Sequence, residues 1–142
     1  MDCKNKVFQL TPDERQELIN RLSAFLAKEE NILFAYLHGS FHEGGPFRDL
    51  DIAVYLVDLP SREQFAFELK LEDRLEREFR YPADLKVLNN APPSFAYMVI
   101  KKGLKLYVRN DSERVAFEVG TFKKYFDFLP FRKRYLEEVI DA

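Results

Sequence analysis

Residues 37–56 read LHGSFHEGGPFRDLDIAVYL and join two apolar runs through a glycine-rich loop. The run from Asn31 to His38 is apolar almost throughout, which predicts a strand covered on both faces. Leu50 to Val57 predicts a second strand, because every second residue from Leu50 is apolar. Side chains alternate along a strand, so Asp49 and Asp51 share its opposite face. The stretch therefore predicts two carboxylates beside a turn at a strand end.

The remaining chain predicts the order α-β-β-α-β-α-β-α in one domain of 142 residues. Thr11-Pro12-Asp13-Glu14 has the pattern of a capping box and opens a helix over about 12–29. Further helices are predicted at 61–80, 93–102 and from 110 or 111 onwards, and further strands at 83–88 and 104–108. We expect an α/β fold with a small mixed sheet flanked by helices, a core over about 31–108, and a C-terminal helical segment over about 111–140 that Pro130 kinks or ends.

Composition excludes several classes of protein. The formal net charge is −2, with 22 basic and 24 acidic residues, so a general nucleic-acid binder is not expected. Cys3 is the one cysteine and leaves no intrachain disulfide. No apolar run approaches the length of a membrane span. We expect a cytoplasmic protein without membrane contacts.

A third carboxylate, Asp84, lies at the start of a separate predicted strand. Carboxylates that lie close together repel, and ionising all of them is unfavourable unless a cation lies between them. Mg²⁺ prefers oxygen ligands and keeps positions open for phosphate oxygens. If the strand of Asp84 neighbours that of Asp49 and Asp51, the three side chains can hold two Mg²⁺ ions about 3.5–4 Å apart, the arrangement that supports nucleotidyl transfer.

The pair Gly39-Ser40 directly follows the first predicted strand. Glycine lets the backbone approach a phosphate closely, free N–H groups in such a turn favour anions, and the serine hydroxyl adds a hydrogen bond. Taken alone, Gly-Ser is usually a plain turn, Asp-x-Asp a solvated strand end, and an isolated Asp a surface ion-pair partner. Their occurrence in this order is much more specific.

This order resembles the nucleotidyltransferase superfamily that includes DNA polymerase beta, and within it the minimal nucleotidyltransferases (MNT). The family pattern is a strand, Gly-Ser, a loop, Asp-x-Asp on the next strand and an Asp on a later strand. The positions that match it are Gly39, Ser40, Asp49, Asp51 and Asp84. Residues 83–111 (ADLKVLNNAPPSFAYMVIKKGLKLYVRND) and 125–131 (YFDFLPF) also resemble the family, so the likeness covers about 31–131. The sequence looks most like the antitoxin subunit of HEPN/MNT toxin–antitoxin pairs.

The resemblance implies an enzyme that transfers AMP from ATP to a tyrosine hydroxyl of a HEPN-type toxin partner. It implies that Asp49 and Asp51 bind both Mg²⁺ ions. Asp84 would bind the catalytic ion and help to deprotonate the attacking hydroxyl. Gly39 and Ser40 would hold the triphosphate, and Arg48 is the candidate basic side chain near the phosphates.

The loop from Phe41 to Arg48 has eight residues, about two fewer than is common in the family. Gly-Ser-Phe-His-Glu-Gly also stands where many members read Gly-Ser-x-Ala-Arg-Gly. A second hypothesis is therefore a catalytically weakened antitoxin that neutralises its partner by binding alone. A small-molecule nucleotidyltransferase ranks last, because such enzymes generally need a further substrate domain.

Three other groups of residues have predicted roles outside catalysis. His38 and His42 are better explained as structural or phosphate-adjacent residues than as catalytic ones. Lys101 and Lys102 are expected in solvent more than at phosphate. The C-terminal aromatic run is too large for one helix face, so about half of it is expected in the core and the rest in a partner or oligomer surface; it comprises Phe122, Tyr125, Phe126, Phe128 and Phe131.

Overall fold

The computed structural model describes residues 6–57 and 59–141, with side chains of the last helix described as far as Asp127 and again at Arg134 and Glu137. The predicted elements are confirmed, and their boundaries differ by at most two residues except at the end of the last helix. They are α1 (Pro12–Ala27), β1 (Ile32–His38), α2 (Ser40–Glu43), β2 (Leu50–Leu56), α3 (Ser61–Phe79), β3 (Ala83–Val87), α4 (Pro93–Lys102), β4 (Leu104–Val108) and α5 (Asp111–Asp141). Within the described ranges, no helix combines the length and the apolar character needed to cross a bilayer.

The strands form a mixed sheet in the order β3-β2-β1-β4. β1 is antiparallel to both of its neighbours, β2 and β4. β2 and β3 are parallel and are connected through α3. This order makes β3 and β4 the edge strands and places β2 next to β3.

Each face of the sheet is covered by a different pair of helices. α1 and α3 cover the face that carries Leu50, Ile52 and Val54, all fully buried. α4 and α5 cover the other face, where Phe34 and Tyr36 are buried. The predicted alternation along β2 is therefore confirmed, and Asp49 and Asp51 belong to the face under α4 and α5.

Two predicted features are corrected by the structure. The stretch after Gly39 was predicted as a loop, but it contains the short helix α2, which ends at Gly44 in the left-handed conformation (φ +96°). Helix α5 does not end at Pro130 and runs from Asp111 to Asp141. A proline removes one backbone donor, but its fixed φ is compatible with a helix, so the chain can continue through it.

The segment between α2 and β2 is fixed by contacts with the N-terminal part of the chain. The guanidinium of Arg15 donates hydrogen bonds to the carbonyl oxygens of Phe41 and Gly45. Phe8 and Phe47 exchange backbone hydrogen bonds of 2.8 and 3.0 Å. Phe41 and Phe47 are both about 1% exposed, and their rings meet edge-to-face. The shortened loop is therefore packed against the protein.

The helix caps predicted from sequence also form. Thr11 and Glu14 exchange the two hydrogen bonds of a capping box at the start of α1. The Asn110 side chain accepts a hydrogen bond from the backbone N–H of Glu113 and so caps α5. Both helices therefore begin where their local sequence specifies.

The edge of β3 is completed by glutamate side chains of α3. Its backbone N–H groups at every second residue donate to carboxylates spaced four residues apart on the helix. The pairs are Ala83 with Glu76 (3.0 Å), Leu85 with Glu72 (2.8 Å) and Val87 with Glu68 (2.9 Å). Free N–H groups on an edge strand invite pairing with another chain, and these carboxylates occupy them.

We predict that Glu72→Ala lowers the free energy of unfolding by about 1–2 kcal/mol, because it leaves the part-buried N–H of Leu85 without an acceptor. Glu72→Gln keeps an acceptor oxygen and should recover most of that loss. Urea unfolding followed by circular dichroism measures both. Glu78→Ala, at an exposed position on the same helix, is the matched control and should change stability by less than about 0.5 kcal/mol. If Glu72→Ala and Glu78→Ala lower the free energy of unfolding equally, the carboxylates of α3 do not stabilise the edge of β3.

Candidate active site

Gly39 lies directly against the carboxylate of Asp51. Its φ of +79° is a conformation that residues with side chains rarely adopt. A Cβ at this position would lie 2.1 Å from Asp51 Oδ2. Two independent constraints therefore require glycine here. Ser40 follows as the first residue of α2 and is exposed.

The three predicted carboxylates meet on one face of the sheet. Asp51 on β2 pairs with Asp84 on the parallel strand β3, and on its other side with His38 on β1. Neighbouring strands lie about 4.8 Å apart. Asp49 immediately precedes β2 and shares the face of Asp51. The sheet order therefore makes the strand of Asp84 the neighbour of the strand that carries Asp51, which is the condition under which the three side chains can share Mg²⁺ ions.

The electrostatics of this carboxylate row are unfavourable in the absence of a cation. Burial, together with the negative charges of Asp49 and Asp84, raises the pKa of Asp51 to about 6. A hydrogen bond with Asp49 raises the pKa of Asp51 further, because it favours the protonated acid. Asp84 is partly neutralised, since its Oδ1 lies 3.6 Å from Lys86 Nζ.

His38 lies at the boundary between the carboxylate row and the core. Burial lowers the pKa of its imidazole, although the charges of Asp84 and Asp49 act in the opposite direction. Its Nε2 is buried and has no hydrogen-bond partner among the described residues. The ring packs edge-on against Phe95, with 5.7 Å between centroids. The lowered pKa favours a neutral imidazole that packs between the carboxylate row and Phe95.

A cleft of about 570 Å³ opens at His38 and Gly39, which adjoin the carboxylate row, although none of the three aspartates is among its described lining residues. It joins the end of β1, the helix α2 and the last turns of α4. The residues that line it are His38, Gly39, His42, Glu43, Met98, Val99 and Lys102. Its volume lies within the range typical of small-molecule sites, and its walls combine apolar and charged groups.

The residues suggested for nucleotide binding have different positions in the structure. Gly39 lines the cleft, whereas Ser40 and Arg48 are exposed and are not among its lining residues. Arg48 follows the buried Phe47 and faces solvent as a result. Lys102 lines the cleft and is also exposed to solvent, as the sequence predicted for it. The sequence shows two lysines, Lys101 and Lys102, at the end of a predicted helix. That pattern does not indicate which of the two lines a cleft.

The chemistry of the carboxylates fits Mg²⁺, although the side chains are not arranged as a finished metal site. In the described part of the chain, no three His, Cys, Asp or Glu side chains form a group that could hold a metal ion as they stand. Asp49, Asp51 and Asp84 nevertheless offer oxygen ligands of the kind that Mg²⁺ prefers. A divalent cation between them would offset both the burial of Asp51 and the repulsion from its neighbours, the two causes that raise its pKa.

We predict that Asp51→Asn stabilises the ligand-free protein at neutral pH. The folded-state pKa of about 6 exceeds the ordinary value of 3.8, so protonation favours the folded state at acid pH, and this contribution is lost as the pH rises through 6. The variant's advantage in unfolding free energy should grow between about pH 4 and 6 and reach about 1 kcal/mol at pH 7, because solvent screens a group that is only partly buried. Urea unfolding at a series of pH values measures this.

Asp127→Asn changes an exposed carboxylate on α5 and is the control for that series. It should keep the pH dependence of the wild type. An Asp51→Asn protein that is less stable than the wild type at pH 7 would contradict the unfavourable charge assigned to this position.

We predict that Gly39→Ala sharply destabilises the protein and abolishes any ligand affinity of the cleft, because the added methyl group collides with Asp51 in a strained backbone conformation. The loss should reach about 2–4 kcal/mol, measured by thermal and urea unfolding. Gly45→Ala is the matched control, since a Cβ there meets no atom within 4 Å. If Gly39→Ala and Gly45→Ala are equally stable, the close contact described between Gly39 and the Asp51 carboxylate is wrong.

Comparison with known proteins agrees with this geometry. The family model described as "Polymerase beta, Nucleotidyltransferase" matches residues 20–112. A search of curated proteins found no match.

Several solved structures share the fold. A chain of the complex between tri-AMPylated Shewanella oneidensis HEPN toxin and MNT antitoxin is 23% identical, with a TM-score of 0.68 over 89% of this chain and 98% of that one. A chain of a toxin–antitoxin structure with AMP-PNP is 22% identical, with a TM-score of 0.64 over 92% and 99%. A chain of the toxin–antitoxin MntA-HepT is 21% identical, with a TM-score of 0.65 over 88% and 99%.

The family match covers Gly39 and the strands that carry Asp51 and Asp84, together with the helices α3 and α4. The expected fold of a small mixed sheet flanked by helices is therefore confirmed. The chain belongs to the polymerase beta nucleotidyltransferase family.

Proposed function

We propose that this protein is a Mg²⁺-dependent adenylyltransferase. It moves AMP from ATP to a tyrosine hydroxyl of a HEPN-type toxin partner and so acts as the partner's antitoxin. The observation that carries the proposal is the position of Asp51, which has Gly39 against its carboxylate, Asp84 on the next strand and Asp49 two residues before it. The cleft lined by Gly39 and a concentration of oxygen ligands thus lie side by side.

In the proposed reaction, the acceptor hydroxyl oxygen attacks the α-phosphorus of ATP. A bond forms between these atoms, the bond from that phosphorus to the oxygen that bridges to the β-phosphate breaks, and pyrophosphate leaves. Asp84 receives the hydroxyl proton. Its side chain is 46% exposed, which leaves its carboxylate open to an acceptor that arrives from solvent.

Asp49, Asp51 and Asp84 are the residues that would hold two Mg²⁺ ions. Bound there, the ions would supply neutralisation of the charge on the phosphates and on the leaving pyrophosphate. Gly39 lines the cleft beside the carboxylate row, where its backbone would approach a phosphate, and the Ser40 hydroxyl that follows it would donate a hydrogen bond. His38 lines the cleft and pairs with Asp51 across the sheet, which places the cleft next to the same row.

The proposed partner is supported by what the structural neighbours are. They include a tri-AMPylated HEPN toxin in complex with MNT antitoxin and a toxin–antitoxin structure with AMP-PNP. In this chain, Tyr125 stacks on Tyr97 of α4 with 3.9 Å between ring centroids, while Phe126 is 53% exposed and Val119 60% exposed. Part of the aromatic and apolar surface of α5 is thus packed on α4 and part is exposed, and the exposed part supports a surface for the toxin or for another copy. The side chains of Phe128 and Phe131 lie outside the described part.

Transfer of label tests the proposal. The wild type, Mg²⁺ and ATP labelled on the α-phosphate are incubated with a HEPN-domain toxin, taken first from the neighbouring gene. We expect the label on a tyrosine of the toxin, located by mass spectrometry. Asp49→Asn/Asp51→Asn should lower the rate by about a hundredfold or more, because it removes the ligands of both ions.

ATP labelled on the γ-phosphate is the control, since adenylyl transfer leaves that label in pyrophosphate. Label on the toxin from the γ-phosphate would mean phosphoryl transfer. Absence of α-label with the wild type, in a reaction where the toxin is bound, would refute the enzyme.

An antitoxin that acts by binding alone is the second candidate. Glu43 brings a carboxylate to the cleft, and Arg48 is not among the lining residues, which is unfavourable for a triphosphate. That function predicts that Asp84→Asn neutralises the toxin as well as the wild type and without ATP. Under the enzymatic function, the same variant loses neutralisation.

A further inference from the structure

We propose that Lys102 binds the β- and γ-phosphates of the nucleotide, the role that the sequence suggested for Arg48. The inference rests on the proposed nucleotidyl transfer. It gives Lys102 the role of distinguishing a nucleoside triphosphate from a monophosphate in that reaction. Lys102 is the last residue of α4 and lines the cleft together with His38 and Gly39.

The end of α4 is held tightly against β1. The backbone N–H of Gly103 donates to the carbonyl oxygen of Val99 at 2.8 Å. A Cβ at Gly103 would lie 2.4 Å from that oxygen and 3.2 Å from the carbonyl oxygen of Leu37. Leu37 immediately precedes His38, so this close approach fixes the backbone beside Lys102 near the carboxylate row.

Other cations near the site are engaged elsewhere or lie outside the cleft. The ammonium of Lys101 lies 5.6 Å from the centroid of the Tyr97 ring. Lys86 pairs with Asp84, and Arg48 is exposed outside the cleft. Among the described residues that line the cleft, Lys102 is the one lysine or arginine.

The charges around the cleft require such a cation. Three carboxylates and the C-terminal end of α4, which carries partial negative charge, lie beside it, and Glu43 adds another carboxylate. Mg²⁺ would compensate for the carboxylate row, but the terminal phosphates bring further negative charge. A lysine is a compact charge with three donors on a flexible stem, and it can follow the phosphates as pyrophosphate leaves.

Calorimetric titration of the full chain with AMP-PNP and with AMP, each with Mg²⁺, tests the proposal. Lys102→Gln should weaken AMP-PNP binding by about tenfold and change AMP binding by less than about twofold, because AMP lacks both phosphates. The tenfold loss corresponds to about 1.4 kcal/mol. Lys102→Arg keeps the charge and should stay within about threefold of the wild type. Lys101→Gln is the matched neighbour and should change neither affinity by more than about twofold.

Several results would overturn the assignment. Equal weakening of AMP-PNP and AMP in Lys102→Gln would mean that the residue acts on the shape of the site. A selective loss of AMP-PNP in Arg48→Gln, with Lys102→Gln unchanged, would return the role to Arg48. Normal AMP-PNP binding by the wild type and by Lys102→Gln would refute this inference and leave the proposed function intact. A wild type that binds neither nucleotide would refute both.

Discussion

The repulsion among carboxylates around Asp51 is the constraint on which the site depends. Burial and then the charges of Asp49 and Asp84 raise its pKa, and Gly39 allows its carboxylate to lie against the backbone. Such a group would move apart from its neighbours in a flexible loop. It stays in place because Leu50 and Ile52, on either side of it in β2, are fully buried on the opposite face. The packing of the core therefore stabilises an arrangement that is unfavourable by itself, as is common at functional sites.

Elements distant from the carboxylates contribute to the same arrangement. Arg15 on α1 holds α2 and the segment that follows it through the backbone carbonyls of Phe41 and Gly45. Glu72, with its neighbours on α3, completes the edge of β3 and so supports the strand that carries Asp84. Gly103 brings the end of α4 against β1. Each contact is local, and together they hold β1, β2, β3 and the cleft in one arrangement.

The comparison of sequence and structure separates two kinds of feature. The alternation along β2 and the capping box at Thr11 were predictable, because they depend on residues close together in the chain. The helix α2 was not, because four residues carry too little periodicity and its formation depends on left-handed glycines at its ends and on the burial of Phe41. The positions of Arg48 and Lys102 relative to the cleft were also hidden, because exposure is set by distant parts of the chain.

The sequence by itself determined which residues form strands, which face of β2 carries Asp49 and Asp51, and the likeness to a nucleotidyltransferase family. Backbone geometry fixes these features over a few residues, so they can be deduced from spacing. Only the tertiary structure decided that Asp84 lies beside Asp51, because the order β3-β2-β1-β4 results from the packing of helices on both faces of the sheet. The same packing selected Lys102 as the lysine that lines the cleft, since it pressed the end of α4 against β1.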